Sequence, residues 1–337
     1  MIWLTYRQFR TQALAALAVL AAAAVYIAVT GLRMRHTYTA DQAACRQPHS
    51  QCGLILNQFQ NAYNGPQQLL QLFVLAAPAL IGIFWGAPLI AGELERGTHR
   101  MTWNQSITPG RWLAVKLAVV GLAAVAAAGL LSLLLTWWAS PLDRVGDDRF
   151  AALTFATRDI VPLGYAAFAF ALGAALGLLT RRALPAMAVT LAVFIALQVL
   201  FATQFRADLL PSTTTTRAVD AALLGQAGGI GTGADAAGPV FVDTPGPPGA
   251  WIQSETDLEN SAGQTISATE VNGCLNDPEP DMAAIGDCLA PYNLHIDLTY
   301  QPADNYWPLQ WAETGIYLTL AGLLGGACFW RIRRQHD

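Results

Sequence analysis

The chain has 337 residues, of which 54% are hydrophobic and only 12% charged, against roughly 25% charged in an ordinary soluble domain. That deficit excludes a freely soluble globular protein and places the chain in the membrane class. The formal net charge of −4 gives no basic surface for nucleic acid, and no nucleic-acid partner is expected.

In chain order, "MIWLTYRQFR" mixes aromatics with Arg7 and Arg10, the composition of a short segment lying in the membrane interface. Six apolar runs follow, each near the roughly 20 residues a helix needs to cross about 30 Å of hydrocarbon. They are Ala13 to Leu32, Leu69 to Ala91, Leu113 to Trp138, Pro162 to Leu179, Ala183 to Ala202 and Ala312 to Trp330. None alternates as a barrel strand would, so helices that satisfy their own backbone hydrogen bonds are the economical reading. The first run is too long for the core of a signal peptide, and no small-x-small cleavage pattern ends it. The expected fold is an all-α polytopic membrane protein with six transmembrane helices. Residues 1–202 would hold the first five helices and an inner loop at 92–112, residues 203–311 an insertion, and residues 312–337 the sixth helix and a basic tail.

Six helices put both termini on one side, and basic residues mark the cytoplasmic one. With the N-terminus inside, Arg7, Arg10, Arg96, Arg100, Arg111, Lys116, Arg181, Arg182, Arg331, Arg333 and Arg334 all fall in short inner segments, while nearly all acidic residues fall outside. The cysteines point the same way, because disulfides persist in oxidising compartments. Cys45 and Cys52 share one outer segment and Cys274 and Cys288 another. Bridges Cys45 to Cys52 and Cys274 to Cys288 are expected, two of the pairings that four cysteines allow. Cys328 reads as a small buried residue of the last helix. Cys45, His49 and Cys52 are one ligand short of a closed zinc site, and no metal is expected.

Within the outer segments, Ala139 to Val161 reads as a loop resting on the membrane surface. The fourth and fifth helices are joined inside by "TRRALP", which requires a tight antiparallel hairpin. The first half of the 203–311 insertion, rich in Gly, Thr, Ala and Pro, reads as flexible spacer. From Trp251 onward, "AGQTISATEVNGCL" and "LHIDLTYQPADNYW" read as short strands held by the second disulfide. "GQAGGIGTG" lacks the Lys-Ser/Thr ending of a phosphate loop. Asn104-Gln105-Ser106 is a glycosylation sequon on the inner side, where no glycan is added.

An ion-coupled carrier keeps ionisable groups near the bilayer midplane. The central turns of the six runs hold none: Lys116 lies near the inner end of the third, from which it can snorkel, and Glu313 at the outer lip of the sixth. Tyr165, Thr190, Ser132 and Gln198 read as helix-to-helix hydrogen bonds. No Walker loop occurs, so the chain is not expected to be an enzyme, and energy for uphill transport has to enter through a partner on an inner loop. Only the loop at 92–112 is large enough.

That loop, "AGELERGTHRMTWNQSITPGRWLAVKL", resembles the membrane subunit of ABC transporters of the ABC-2 type. The likeness rests on Glu93 and Glu95 before Gly97-Thr98, then Pro109, Arg111-Trp112 and Lys116. It extends to the six-helix layout, the short inner hairpin and the outer insertion. Val115 stands before Lys116 where a Gly is common in the family. The ending "YQPADNYWPLQWAETGIYL…CFWRIRR" and the Ala-rich, Arg-over-Lys composition resemble actinobacterial permeases. The resemblance implies a bacterial plasma-membrane permease working as a dimer, with a separately encoded ATPase subunit that binds ATP and Mg. This chain itself would bind no cofactor. The resemblance also implies a substrate route lined by the second and fifth helices and a coupling segment of Glu93, Glu95, Arg96, Gly97, Thr98, His99, Arg100, Pro109, Arg111, Trp112 and Lys116. Glu93/Arg96 and Glu95/His99 are spaced for charge pairs on a short helix, and Gly97 for a bend. Apolar second and fifth helices favour export of a hydrophobic or amphipathic compound. A Gly-xxx-Gly pair, Gly322 and Gly326, would permit close packing of the sixth helix within the subunit. The rival from another class is a non-transporting membrane sensor or assembly protein whose outer cap binds a ligand.

Overall fold

The computed structural model describes residues 2–47, 51–97, 108–146, 149–232, 238–275 and 282–334. The chain forms two units, one of residues 1–206 and 307–337 and the other of residues 207–306.

The first unit is helical. α1 spans Ile2–Cys45 and α2 Cys52–Ile81, which passes through a π-helical turn, Gly82–Gly86, into α3 at Ala87–Glu95. α4 covers Pro109–Ala139, α5 Ala152–Thr157, α6 Val161–Thr180 and α7 Ala183–Leu200. A second π turn, Phe201–Phe205, and a 3-10 turn, Arg206–Asp208, extend α7. Among the described residues, six helices are long and apolar enough to cross a membrane, the last within Ala303–Arg334.

Two segments read from composition as separate pieces are helix. Residues 2–10 are the opening turns of α1 rather than an interfacial element of their own. Residues 33–45 and 52–68, in the outer segment between the first two apolar runs, are the end of α1 and the start of α2, joined at their tips by the Cys45–Cys52 disulfide. Polarity along this hairpin hides an aromatic seam. Tyr38 meets Phe59 at 5.7 Å between ring centroids, Phe59 meets Tyr63 at 5.1 Å, and Tyr63 meets Trp138 of α4 edge-on at 6.5 Å. Such pairs add about 0.5–1.5 kcal/mol each beyond area burial.

α6 is the hub. In its most apolar window 72% of residues are buried, against 6% for the span in α1 and 17% for that in α7. It reaches this burial by letting backbones touch. A Cβ on Gly82 would stand 2.7 Å from the Ala169 carbonyl oxygen, one on Gly86 2.6 Å from that of Phe170, and one on Gly177 2.6 Å from that of Ala87. "GIFWG" at 82–86 and "GAALG" at 173–177 are therefore facing Gly-xxx-Gly pairs, the small-residue device of membrane helix packing. At the pair singled out from sequence, Gly322 and Gly326, an added Cβ would meet nothing within 4 Å among the described residues.

The second unit carries the β structure. β1 (Thr213–Ala218), β5 (His295–Gln301) and β4 (Trp251–Glu255) form an antiparallel sheet in the order β1-β5-β4, and β2 (Gly229–Thr232) pairs with β3 (Val240–Asp243). Two of its helices, α9 (Asn272–Leu275) and α10 (Met282–Leu289), follow the short α8 (Ala221–Leu224) and are joined by the Cys274–Cys288 disulfide. Its core includes Leu224, Val240, Val242, Leu258, Ile285, Leu289, Leu294 and Ile296. The Thr- and Gly-rich half read as spacer thus supplies three strands, β1, β2 and β3. β-branched Thr suits a pleated ladder, and Thr214 hydrogen-bonds Thr299 across it at 3.0 Å. α11, Tyr306–Arg334, returns the chain to the bundle.

Candidate functional site

α3 leaves the bundle at Arg96, and Gly97, at φ +70°, ends the helix in the left-handed region that favours glycine. Its N–H donates to the Leu94 carbonyl at 3.3 Å. Thr98, His99 and Arg100 lie outside the described residues, as does the chain to residue 107. It re-enters at Thr108, and Pro109 starts α4, where a proline's fixed φ and missing N–H suit the first turn of a helix.

The two ends of this loop are fastened to each other and to a third helix. Lys116 of α4 forms an ion pair with Glu93 of α3, with both side chains nearly sealed. The ammonium also stands 4.8 Å from the centroid of the Trp112 ring, within cation–π range. Lys116 therefore turns inward to Glu93 instead of snorkelling, because a carboxylate one helix away gives it a partner. Trp112 is 2% exposed and packs among Ile90, Leu113, Ala174, Leu178, Cys328 and Ile332, which brings α3, α4, α6 and α11 together.

Glu95 reaches sideways. Its Oε2 accepts from the backbone N–H of Ala183 at 3.2 Å, the first residue of α7. A carboxylate there satisfies an orphan amide and meets the positive end of the helix dipole, worth about 0.3–1 kcal/mol. The connection it braces is tight: only Arg181 and Arg182 separate α6 from α7, and Arg181 takes φ 55° to make the turn.

Arg96 folds back, its Nε donating to the Gly92 carbonyl at 2.8 Å, while the described partner of Glu93 is Lys116. Arg111 is exposed and lines, with Pro109 and Arg333, a cleft of about 550 Å³ between the start of α4 and the end of α11. Glu93, Glu95, Pro109, Arg111, Trp112 and Lys116 thus converge at one end of the bundle, beside the paired arginines of the α6–α7 turn. Among the described residues no group of His, Cys, Asp and Glu could hold a metal ion.

Sequence reasoning missed a second polar centre. α7 continues past Ala202 to Arg206, and α11 starts at Tyr306, so Glu313 is inside a helix and 0% exposed. Arg206 Nε donates to Glu313 Oε2 at 2.9 Å and Nη2 to Oε1 at 3.1 Å. Tyr165 of α6 donates its hydroxyl to the same carboxylate. Of the other polar residues read as helix-to-helix contacts, Ser132 donates to the Asp159 carbonyl at 2.8 Å, Thr190 bonds back to Ala186 in its own helix, and Gln198 Nε2 has no partner among the described residues.

No curated protein and no solved structure matches the chain. The family described as ABC-2 membrane transporter related matches residues 17–206, the first five membrane helices and the loop between α3 and α4. This is more than half of the chain, and the protein belongs to that family.

Proposed function

We propose that this chain is the permease subunit of an ATP-driven exporter, with the segment from Glu93 to Lys116 passing the motion of a cytoplasmic ATPase subunit to the membrane helices. The observation that carries this reading is the fastening of that segment. Glu93 and Lys116 tie α3 to α4, Trp112 adds α6 and α11, and Glu95 holds the first turn of α7, so a push on the intervening loop reaches five helices at once. ATP and Mg belong to the partner in this reading, and this chain binds neither.

The substrate route runs between two identical copies along α2 and α7, in the plasma membrane of a bacterium of the actinobacterial kind. Both helices contain a π turn, a feature frequent at functional sites. An apolar cleft of about 330 Å³ opens at the first of them between α1, α2 and α4, lined by Val19, Phe73, Phe84, Trp85 and Leu131. That lining supports a hydrophobic or amphipathic cargo. The basic end of the bundle faces the cytoplasm, as the distribution of arginines favours, and the disulfide-bearing end faces outward. After mild reduction, an impermeant thiol reagent added outside should label Cys45, Cys52, Cys274 and Cys288 but not a cysteine placed at Thr98.

The test is co-purification and coupled turnover. The chain should retain an ATPase subunit, stimulate its hydrolysis and export an apolar dye in an ATP-dependent way. Glu95→Arg should abolish stimulated turnover while leaving the chain in the membrane. Unchanged ATPase association and export in Glu95→Arg and in a deletion of 98–107 would remove the coupling role.

A further inference from the structure

Gln60, Asn64 and Gln67 recur at spacings of four and three along α2, which puts them on one helical face. They face the segment between α4 and α6 across a polar cavity of about 450 Å³, whose wall also holds Asp143, Thr154 and Arg158. Arg158 is 3% exposed. Its Nη1 donates to Asp143 Oδ1, while its Nε and Nη2 are closed to solvent and meet no acceptor among the described residues.

That unused edge is the one Arg206 employs to grip a carboxylate. At Arg206, Nε and Nη2 bind the two oxygens of Glu313 side-on, the bidentate geometry that suits oxyanions. A buried charged donor without an acceptor is costly, so an anion that completes the fork lowers the energy of the cavity. Thr154 accepts from Gln71 Nε2 at 3.1 Å, which leaves its own hydroxyl hydrogen to donate elsewhere. The three amides offer more donors around the cavity, enough to surround a tetrahedral group.

We propose that this cavity is a binding site for a phosphate group, taken side-on by Nε and Nη2 of Arg158 and surrounded by Thr154 and the amides of Gln60, Asn64 and Gln67. Arg158 leans toward the cavity to meet it, pivoting on its Nη1 bond to Asp143. The group belongs either to free phosphate or to the headgroup of an anionic phospholipid, since the cavity lies where α2 passes from polar residues to its apolar run at Leu69. The site is separate from the segment between α3 and α4 and holds whether or not that segment couples to an ATPase.

The test uses the full chain, with any subunit that co-purifies, in phosphatidylcholine nanodiscs. Thermal unfolding is followed as inorganic phosphate is titrated against chloride of equal ionic strength, and again in discs containing phosphatidylglycerol. The wild type should be stabilised in at least one arm: by phosphate if the ligand is free, by phosphatidylglycerol alone if it is a headgroup. Arg158→Lys keeps the charge facing Asp143 but loses the planar fork, and should bind at least about tenfold more weakly, the loss expected for charged hydrogen bonds. Gln67→Leu, which leaves the ion pair intact, should weaken binding as well. No stabilisation in either arm, or equal stabilisation of wild type and both variants, overturns the proposal.

Discussion

Arg206 and Glu313 lie edge to edge, two parallel hydrogen bonds of 2.9 and 3.1 Å joining the end of α7 to α11, with side chains 2% and 0% exposed. The Phe155 ring stands 4.5 Å from the guanidinium carbon, and Tyr165 supplies a third bond to the carboxylate. Removing one partner of a buried pair strands the other charge, at a cost of about 3–5 kcal/mol, whereas replacing both with apolar residues of similar size is often neutral. Glu313→Leu and Arg206→Met should therefore each lower the melting temperature and membrane yield sharply, and the double variant should recover most of the loss. Additive losses in the double variant would mean that the two residues act independently.

Lys116 and Glu93 allow a related experiment with a functional readout. Because the pair ties α3 to α4, Lys116→Met and Glu93→Gln should each reduce stimulated ATPase turnover. Groups in contact couple by about 0.5–3 kcal/mol, so the double variant should be less impaired in stability than the sum of the singles. A double variant with restored stability but lost turnover would separate the structural role of the pair from its part in transmission.

The second unit has its own pH response. Burial pushes the Glu255 carboxyl above the usual carboxylate range, against the hydrogen bond that Thr244 donates to it. The folded state then holds a proton that the unfolded state has released, so this contribution is fully present below the ordinary glutamate range and is lost as pH rises through the folded value. Glu255→Gln keeps an acceptor for Thr244 and removes the titration. Melting followed across mildly acidic pH should show less destabilisation on raising the pH in Glu255→Gln than in the wild type; parallel profiles would show that another group carries the response.

The six helices were legible because each is a long apolar run with no competing pattern. The ends were not, since hydropathy stops where side chains become polar while the backbone continues. Tyr38, Phe59 and Tyr63 carry helix well past Leu32 and ahead of Leu69, and the helical turn to Arg206, beyond the fifth apolar run, brings a cation to Glu313 at the lip of the sixth. The polar segment between the second and third runs was visible at once. Its fastening was not, because the partners of Glu93 and Glu95 are Lys116 and the Ala183 amide, 23 and 88 residues away in sequence. "GIFWG" and "GAALG" were as readable as Gly322 and Gly326, yet only packing tells which glycines touch a backbone.

Glycine substitutions separate those two kinds of position. At Gly86 an added Cβ would fall 2.6 Å from the Phe170 carbonyl oxygen, a backbone atom that moves only if α2 and α6 part. Overpacking of this kind costs about 1–3 kcal/mol, so Gly86→Ala should lower the melting temperature of the chain and Gly86→Val should do so further. At Gly322 and Gly326 a Cβ meets open space, and alanine should raise intrinsic helix propensity by about 1 kcal/mol at each. Gly322→Ala and Gly326→Ala should accordingly leave the subunit at least as stable as the wild type. If either instead weakens self-association in a crosslinking assay while subunit melting is unchanged, this face of α11 packs against a second copy, since nothing among the described residues of its own chain is close enough to feel the change.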